Sequence, residues 1–210
     1  DFRGHGFDMK RLVRTIMTSA AYARSSAPVP GNAADTKFLS HYPVKRLPAE
    51  VLLDAIARVT EVPTNFSGYP AGWRSLQLPD SNIENAFLSS FGRPERLNTC
   101  SCERSSEPSM TQALHLTNGA TVNDRLRDPK SVVTRLVASK ATDSEVIDRL
   151  FLAALTRRPT DAERARLLTV LAEAAPSKEK DPKAAAEARR QAVEDLYWAV
   201  LSGNEFLFNH

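Results

Sequence analysis

The segment TDSEVIDRLFLAALTRRPTDAER, residues 142–164, decides the fold class. Val146, Ile147, Leu150, Phe151, Ala154 and Leu155 recur at three- and four-residue spacing, which predicts a helix over 143–156 with one apolar face. Thr142 with Glu145, and Thr160 with Glu163, each spell a capping box, in which a hydroxyl and a carboxylate satisfy each other's orphaned backbone N–H groups. Pro159 cannot continue a helix, so it separates the first from a second, expected over 161–175. Two helices joined this closely form a hairpin.

The same signals recur on either side. Ser81/Glu84 and Ser109/Gln112 spell two further capping boxes, and Gly92 and Gly119 stand where left-handed C-terminal caps belong, so helices are expected near 82–91 and 109–118. Shorter helical pieces fit 122–127 and 130–139, and Val193, Leu196, Tyr197, Val200 and Leu201 give 183–202 a core-facing stripe that Gly203 stops. The polar run from Pro176 to Pro182 reads as a hinge between helices. Towards the N-terminus, Pro48 suits the first turn of a helix whose apolar face is Val51, Leu52, Ala55, Ile56 and Val59, with Glu50 complementing its positive end. Phe7, Leu12, Val13, Ile16, Met17 and Ala20 predict a helix over 7–23 with Lys10, Arg11 and Arg14 opposite. A basic amphipathic helix can lie on a membrane surface. The stronger expectation is a solvated basic face over a stripe that joins the core.

Residues 25–45 carry Ser, Pro and Gly without periodicity and read as a loop. Residues 63–79 mix Pro63, Gly68, Pro70, Gly72 and Pro79 with Phe66, Tyr69, Trp73 and Leu76, and aromatics of this kind predict an ordered crossing packed on the helices. No strand ladder and no fixed-period repeat emerges. The expected fold is therefore all-α: a multi-helix orthogonal bundle, one domain over 1–210, with a long ordered Pro/Gly/aromatic loop.

Composition agrees with a folded chain. With 42% hydrophobic and 25% charged residues, 210 residues can build a core without disulfide staples. A net charge of +3 declines gently along the chain: residues 1–60 hold nine basic and five acidic groups, and 141–210 hold ten and twelve. No basic block points to nucleic acid, and no apolar run approaches the ~18 residues that span a bilayer. A chain that opens on Asp1 reads as a piece of a larger protein.

Catalytic signatures are missing: there is no G-x-S-x-G, P-loop, H-E-x-x-H, G-x-G-x-x-G or C-x-x-C-H, so the sequence leans away from an enzyme. Chemistry concentrates in 93–119. Cys100 and Cys102, one residue apart, leave three readings open: inert thiols, a strained disulfide, or a soft-metal site completed by Glu103 and His115. Arg93, Arg96 and Arg104 could bind an anion or a partner through their planar forks, or pair with Glu95, Glu103 and Glu107 beside them. His115, on a short amphipathic helix, reads first as a hydrogen-bonded structural residue. Glu194 and Asp195, adjacent on a helix, diverge by about 100° and form no acid–base pair. Tyr69 and Trp73 could present flat rings to a sugar, or pack beneath the loop.

Several motifs, in order, resemble one family. Arg46-Leu47-Pro48-Ala49-Glu50, Gly68-Tyr69-Pro70, Gln77-Leu78-Pro79, Phe91-Gly92-Arg93-Pro94, Cys100-Ser101-Cys102-Glu103-Arg104 and Gln112 to Gly119 are similar to the planctomycete-type domain of unknown function 1553. Arg158-Pro159-Thr160 with Glu163, Asp195 to Leu201 and the ending Glu205 to His210 extend the resemblance over the whole chain, although Ser202-Gly203 stands where the family commonly has Asn-Ser. The resemblance implies a C-terminal module of an exported multidomain protein, associated with a cytochrome c-like module. It implies an extracytoplasmic location, which strengthens the disulfide reading of Cys100 and Cys102. It implies partners among the parent's other domains, with any haem in another module. The residues themselves point to no cofactor here beyond a possible metal ion, no nucleic acid, no membrane insertion and polysaccharide only as a lesser contact. The resemblance supplies no activity. The function it implies is that of an accessory or interaction domain, with a redox or metal module as the competing class.

Overall fold

The structure is a computed structural model that describes residues 1–35, 37–79, 83–94, 109–174 and 182–209. The expected hinge at Pro176–Pro182 lies almost wholly outside these residues. The fold is mostly helical, as the sequence pattern predicts. The chain divides into two compact units, Asp1–Lys45 and Arg46–Asn209.

The first unit holds one α-helix, α1 (Met9–Met17), started by Asp8, whose carboxylate accepts the Arg11 N–H at 3.0 Å. It is shorter than the expected 7–23. Thr18 ends it, and its hydroxyl and backbone N–H both return to the Arg14 carbonyl, which satisfies that acceptor without another helical turn. The expectation that its apolar stripe joins the core is overturned, since no residue of α1 is buried. Residues 25–35 and 37–44 form turns and loop, stitched by Asp35, whose carboxylate accepts from the Lys37, Phe38 and Ser40 backbone N–H groups.

The second unit opens at Arg46, the last residue of the two-residue strand β1 (Lys45–Arg46), and closes with the two-residue strand β2 (Phe208–Asn209). These two short strands, and the final turn α10 (Asn204–Leu207), were not legible in the sequence. Pro48 stands one residue before α2 (Ala49–Thr60), at its N-cap rather than inside its first turn. α2 buries Leu52, Leu53, Ile56 and Val59, as its apolar spacing requires. The 61–79 crossing is ordered as expected: Phe66 and Leu78 are buried, and the Asp54 carboxylate accepts the Ser75 and Leu76 N–H groups at 2.7 and 3.3 Å.

α3 (Ala86–Ser90) begins later than expected, with Asn85 as its cap, accepting the Leu88 N–H at 3.0 Å; Ser81, of the expected box, lies outside the described residues. It ends as the sequence predicts. Gly92 is left-handed (φ 79°), and the Gly92 and Arg93 N–H groups return to the Ser89 and Leu88 carbonyls in a Schellman closure. α4 (Met110–Asn118) carries the predicted Ser109/Gln112 box. Gly119 is no left-handed cap: at φ −72°, ψ 142° it both ends α4 and starts α5 (Ala120–Arg127). Glycine is required there because an added Cβ would lie 2.0 Å from the His115 carbonyl oxygen.

α6 (Val132–Ala138), α7 (Asp143–Ala154), α8 (Asp161–Ala174) and α9 (Pro182–Leu201) follow. Both capping boxes of the hairpin form: Thr142 N–H and Thr160 N–H each donate to the glutamate three residues on, at 2.8 and 2.7 Å. α7 packs on α2, α8 and α9 through buried Val146, Ile147, Leu150 and Phe151. α9 contributes Val193, Leu196, Tyr197 and Leu201 to the same core. Among the described residues no helix is long and apolar enough to cross a membrane.

Candidate functional site

Hydrogen bonds link the described flanks of the Cys/Arg segment to each other. Gln112, in the first turn of α4, closes its capping box on Ser109 and sends its amide back to the Ser90 carbonyl at 3.0 Å. Its side-chain oxygen also accepts from the Arg46 guanidinium, which donates to the Phe91 carbonyl at 3.1 Å and lies over the Phe91 ring. Arg46 thereby ties the end of α3 to the start of α4. Burial lowers the Arg46 pKa from its ordinary value. Nothing in residues 93–119 alone could have pointed to Arg46, since its partner lies 66 positions away.

His115 sits inside this support. Its Nε2 shares a 2.7 Å hydrogen bond with the Thr121 hydroxyl, and its ring meets Phe87 and Phe91 edge to face. Burial lowers its pKa, favouring the neutral imidazole. Arg93 is half-buried beside the Schellman turn. Arg96, Cys100, Cys102, Glu103 and Arg104 lie outside the described residues. Among the described residues no three His, Cys, Asp or Glu side chains gather as a metal site would require.

Tyr69 and Trp73 come together as expected, with ring centroids 5.1 Å apart, but they tilt by 43° and both pack partly against the core. Trp73 also walls a pocket of about 450 Å³ shared with Asp54, Arg58, Thr64 and Arg74. Around the α2 terminus opens a larger cleft of about 1000 Å³. Val59, Val132, Leu136 and Leu152 supply apolar surface there, and charged Arg58, Glu61, Lys140, Asp148 and Arg149 surround it. Arg58 and Glu61 line both spaces.

Glu61 organises the cleft. It holds a left-handed backbone (φ 62°) just past α2, and its carboxylate receives Arg149 at 2.9 Å and also Arg135. Sequence reasoning missed it, because its two partners come from α6 and α7. Glu194 on α9 is closely placed with Arg190 at 3.0 Å and with Arg127 at 3.8 Å, and burial raises its pKa.

The comparisons are consistent with the motif order. The profile of the family described as PSD1, protein of unknown function (DUF1553), matches residues 1–171. The resembling segments at 195–210 lie beyond that match. No curated protein and no solved structure was found to match the chain. With most of its length matched, from α1 to within α8, the chain belongs to this family of unknown function.

Proposed function

We propose that the chain is a non-enzymatic interaction domain of an exported multidomain protein, and that another module of the same protein docks in the cleft around Glu61. The cleft is the observation that carries this reading. It combines an apolar floor with a charged border, the distribution found where protein surfaces meet. Leu152 contributes there although it is 48% exposed, on a helix whose opposite face is fully buried. Glu61, Arg135 and Arg149 are fixed by one another before any partner arrives, which lowers the ordering cost of binding.

Calorimetric titration of this chain with the parent protein's remaining modules tests the reading. Micromolar binding is expected, and Leu152→Arg should weaken it at least roughly tenfold, because a buried apolar anchor becomes a charge. An unchanged affinity in Leu152→Arg, with the fold intact by circular dichroism, removes the cleft from the interface. A second reading, sugar contact, is favoured only by Trp73 at the wall of the smaller pocket beside the Asp54 carboxylate. Binding to a polysaccharide panel that survives Trp73→Ala would end it.

A further inference from the structure

The first unit has an amphipathic helix, α1, none of whose residues is buried. At 100° per residue, Met9, Leu12, Val13, Ile16 and Met17 occupy an arc of about 140°, while Lys10, Arg14, Arg11 and Thr15 take the rest. Met9 is 60% exposed, Ile16 51%, and Phe7 just before the helix 63%. The nine residues of α1 include three cations and no acid. Of these cations, Arg11 turns towards the Asp1 carboxylate at 3.6 Å, whereas Lys10 and Arg14 fall beside the Met17 edge of the apolar arc.

We infer that α1 adsorbs to an anionic lipid surface, with its apolar arc in the acyl boundary and Lys10 and Arg14 at the phosphates. The ordinary reading of such a stripe is core burial, whereas Met9, Val13, Ile16 and Met17 are each at least half exposed. Charge complementarity selects the surface: residues 1–45 hold seven basic groups against three acidic ones. Breadth selects a fluid interface over a shaped groove. Exposed apolar side chains continue past the helix through Tyr22, Val29, Phe38, Leu39 and Tyr42, more dispersed than a single groove accepts. This inference stands apart from the cleft in the second unit, and either can fail alone.

Co-sedimentation of the full chain with vesicles tests it. Vesicles mixing phosphatidylcholine and phosphatidylglycerol should bind roughly tenfold or more tightly than phosphatidylcholine alone, and high salt should erase most of that gain. Lys10→Glu with Arg14→Glu should abolish the preference, at roughly fivefold or more per cation. Val13→Asp with Ile16→Asp should abolish binding while leaving the circular dichroism of the chain unchanged. Equal binding to both vesicles overturns the inference. So does anionic binding that survives the two aspartates, which would be surface charge alone. Absence of binding to either vesicle also overturns it and assigns the face to an acidic protein groove.

Discussion

α1 and α7 are built to the same specification and meet different fates. Each starts at a side chain that accepts the backbone N–H three residues on, Asp8 from Arg11 and Thr142 from Glu145, and each carries an apolar stripe at helical spacing. α7 buries Val146, Ile147, Leu150 and Phe151 between α2, α8 and α9, whereas α1 buries nothing. Periodicity therefore identifies which face of a helix is apolar and leaves open what covers it. An apolar face is a demand for cover, met by α2, α8 and α9 at α7, whereas no residue of α1 is buried.

The sharpest way to break this comparison is Leu150→Ala. Leu150 is fully buried, so truncation removes its transfer free energy and leaves a space that α2 and α9 can only partly fill. A loss of about 3 kcal/mol is expected, read as a lower midpoint in urea at unchanged slope. A loss below about 1 kcal/mol would mean that this core relaxes freely, and α7 would then resemble α1 in energy as well as pattern.

A smaller effect tests how the hairpin is joined to the chain's end. Arg157, in the turn after α7, donates to the Glu163 carboxylate at 2.7 and 2.9 Å and to Glu205 at 2.6 and 2.7 Å. Glu163 also accepts the Thr160 N–H, and these contacts hold its carboxyl at about 2, well below its ordinary value. All three side chains are about one third exposed or more, so solvent screens the cluster, and Arg157→Ala should cost only about 1 kcal/mol. The acid response has a definite sign. A carboxyl with a depressed folded-state pKa stabilises the fold fully above its unfolded value and loses that contribution as pH falls towards about 2. Arg157→Ala should therefore flatten the fall in stability between about pH 5 and 2, measured by thermal unfolding across that range. An unchanged acid slope would show that Glu163 owes its low pKa to Thr160 rather than to Arg157.

What the sequence made legible was local. The boxes at Ser109, Thr142 and Thr160, the left-handed Gly92 and the ordered aromatic crossing are each settled within a few residues, where spacing suffices. What it concealed depends on distance or on competition between neighbours. Asn85 caps α3, and Gly119 is required by its contact with His115, not by left-handedness. Glu61 draws arginines from 74 and 88 positions away, and Arg46 reaches Gln112 across 66, so no window along the chain contains both partners. The candidate site was legible in part for the same reason: His115 and Trp73 stand out as residue types, but the supports that fix them do not. Arg96, Cys100, Cys102, Glu103 and Arg104 fall outside the described residues.

The smallest expected effect sharpens the comparison from its other side. Val13→Ala with Ile16→Ala removes as much apolar surface as many core truncations, yet both side chains are more than half exposed and bury little on folding. Alanine also raises helix propensity by a few tenths of a kcal/mol at each site, since a β-branched side chain loses χ1 freedom in a helix. The two terms oppose each other, and the unfolding midpoint should stay within about 0.5 kcal/mol of the parent chain. The same pair should weaken binding to anionic vesicles by about thirtyfold, because roughly half of the five deleted carbons' transfer free energy, about 2 kcal/mol, is then missing at the acyl boundary. A pair that destabilises the chain by 2 kcal/mol or more would show that α1 is covered from within, and the contrast with α7 would disappear.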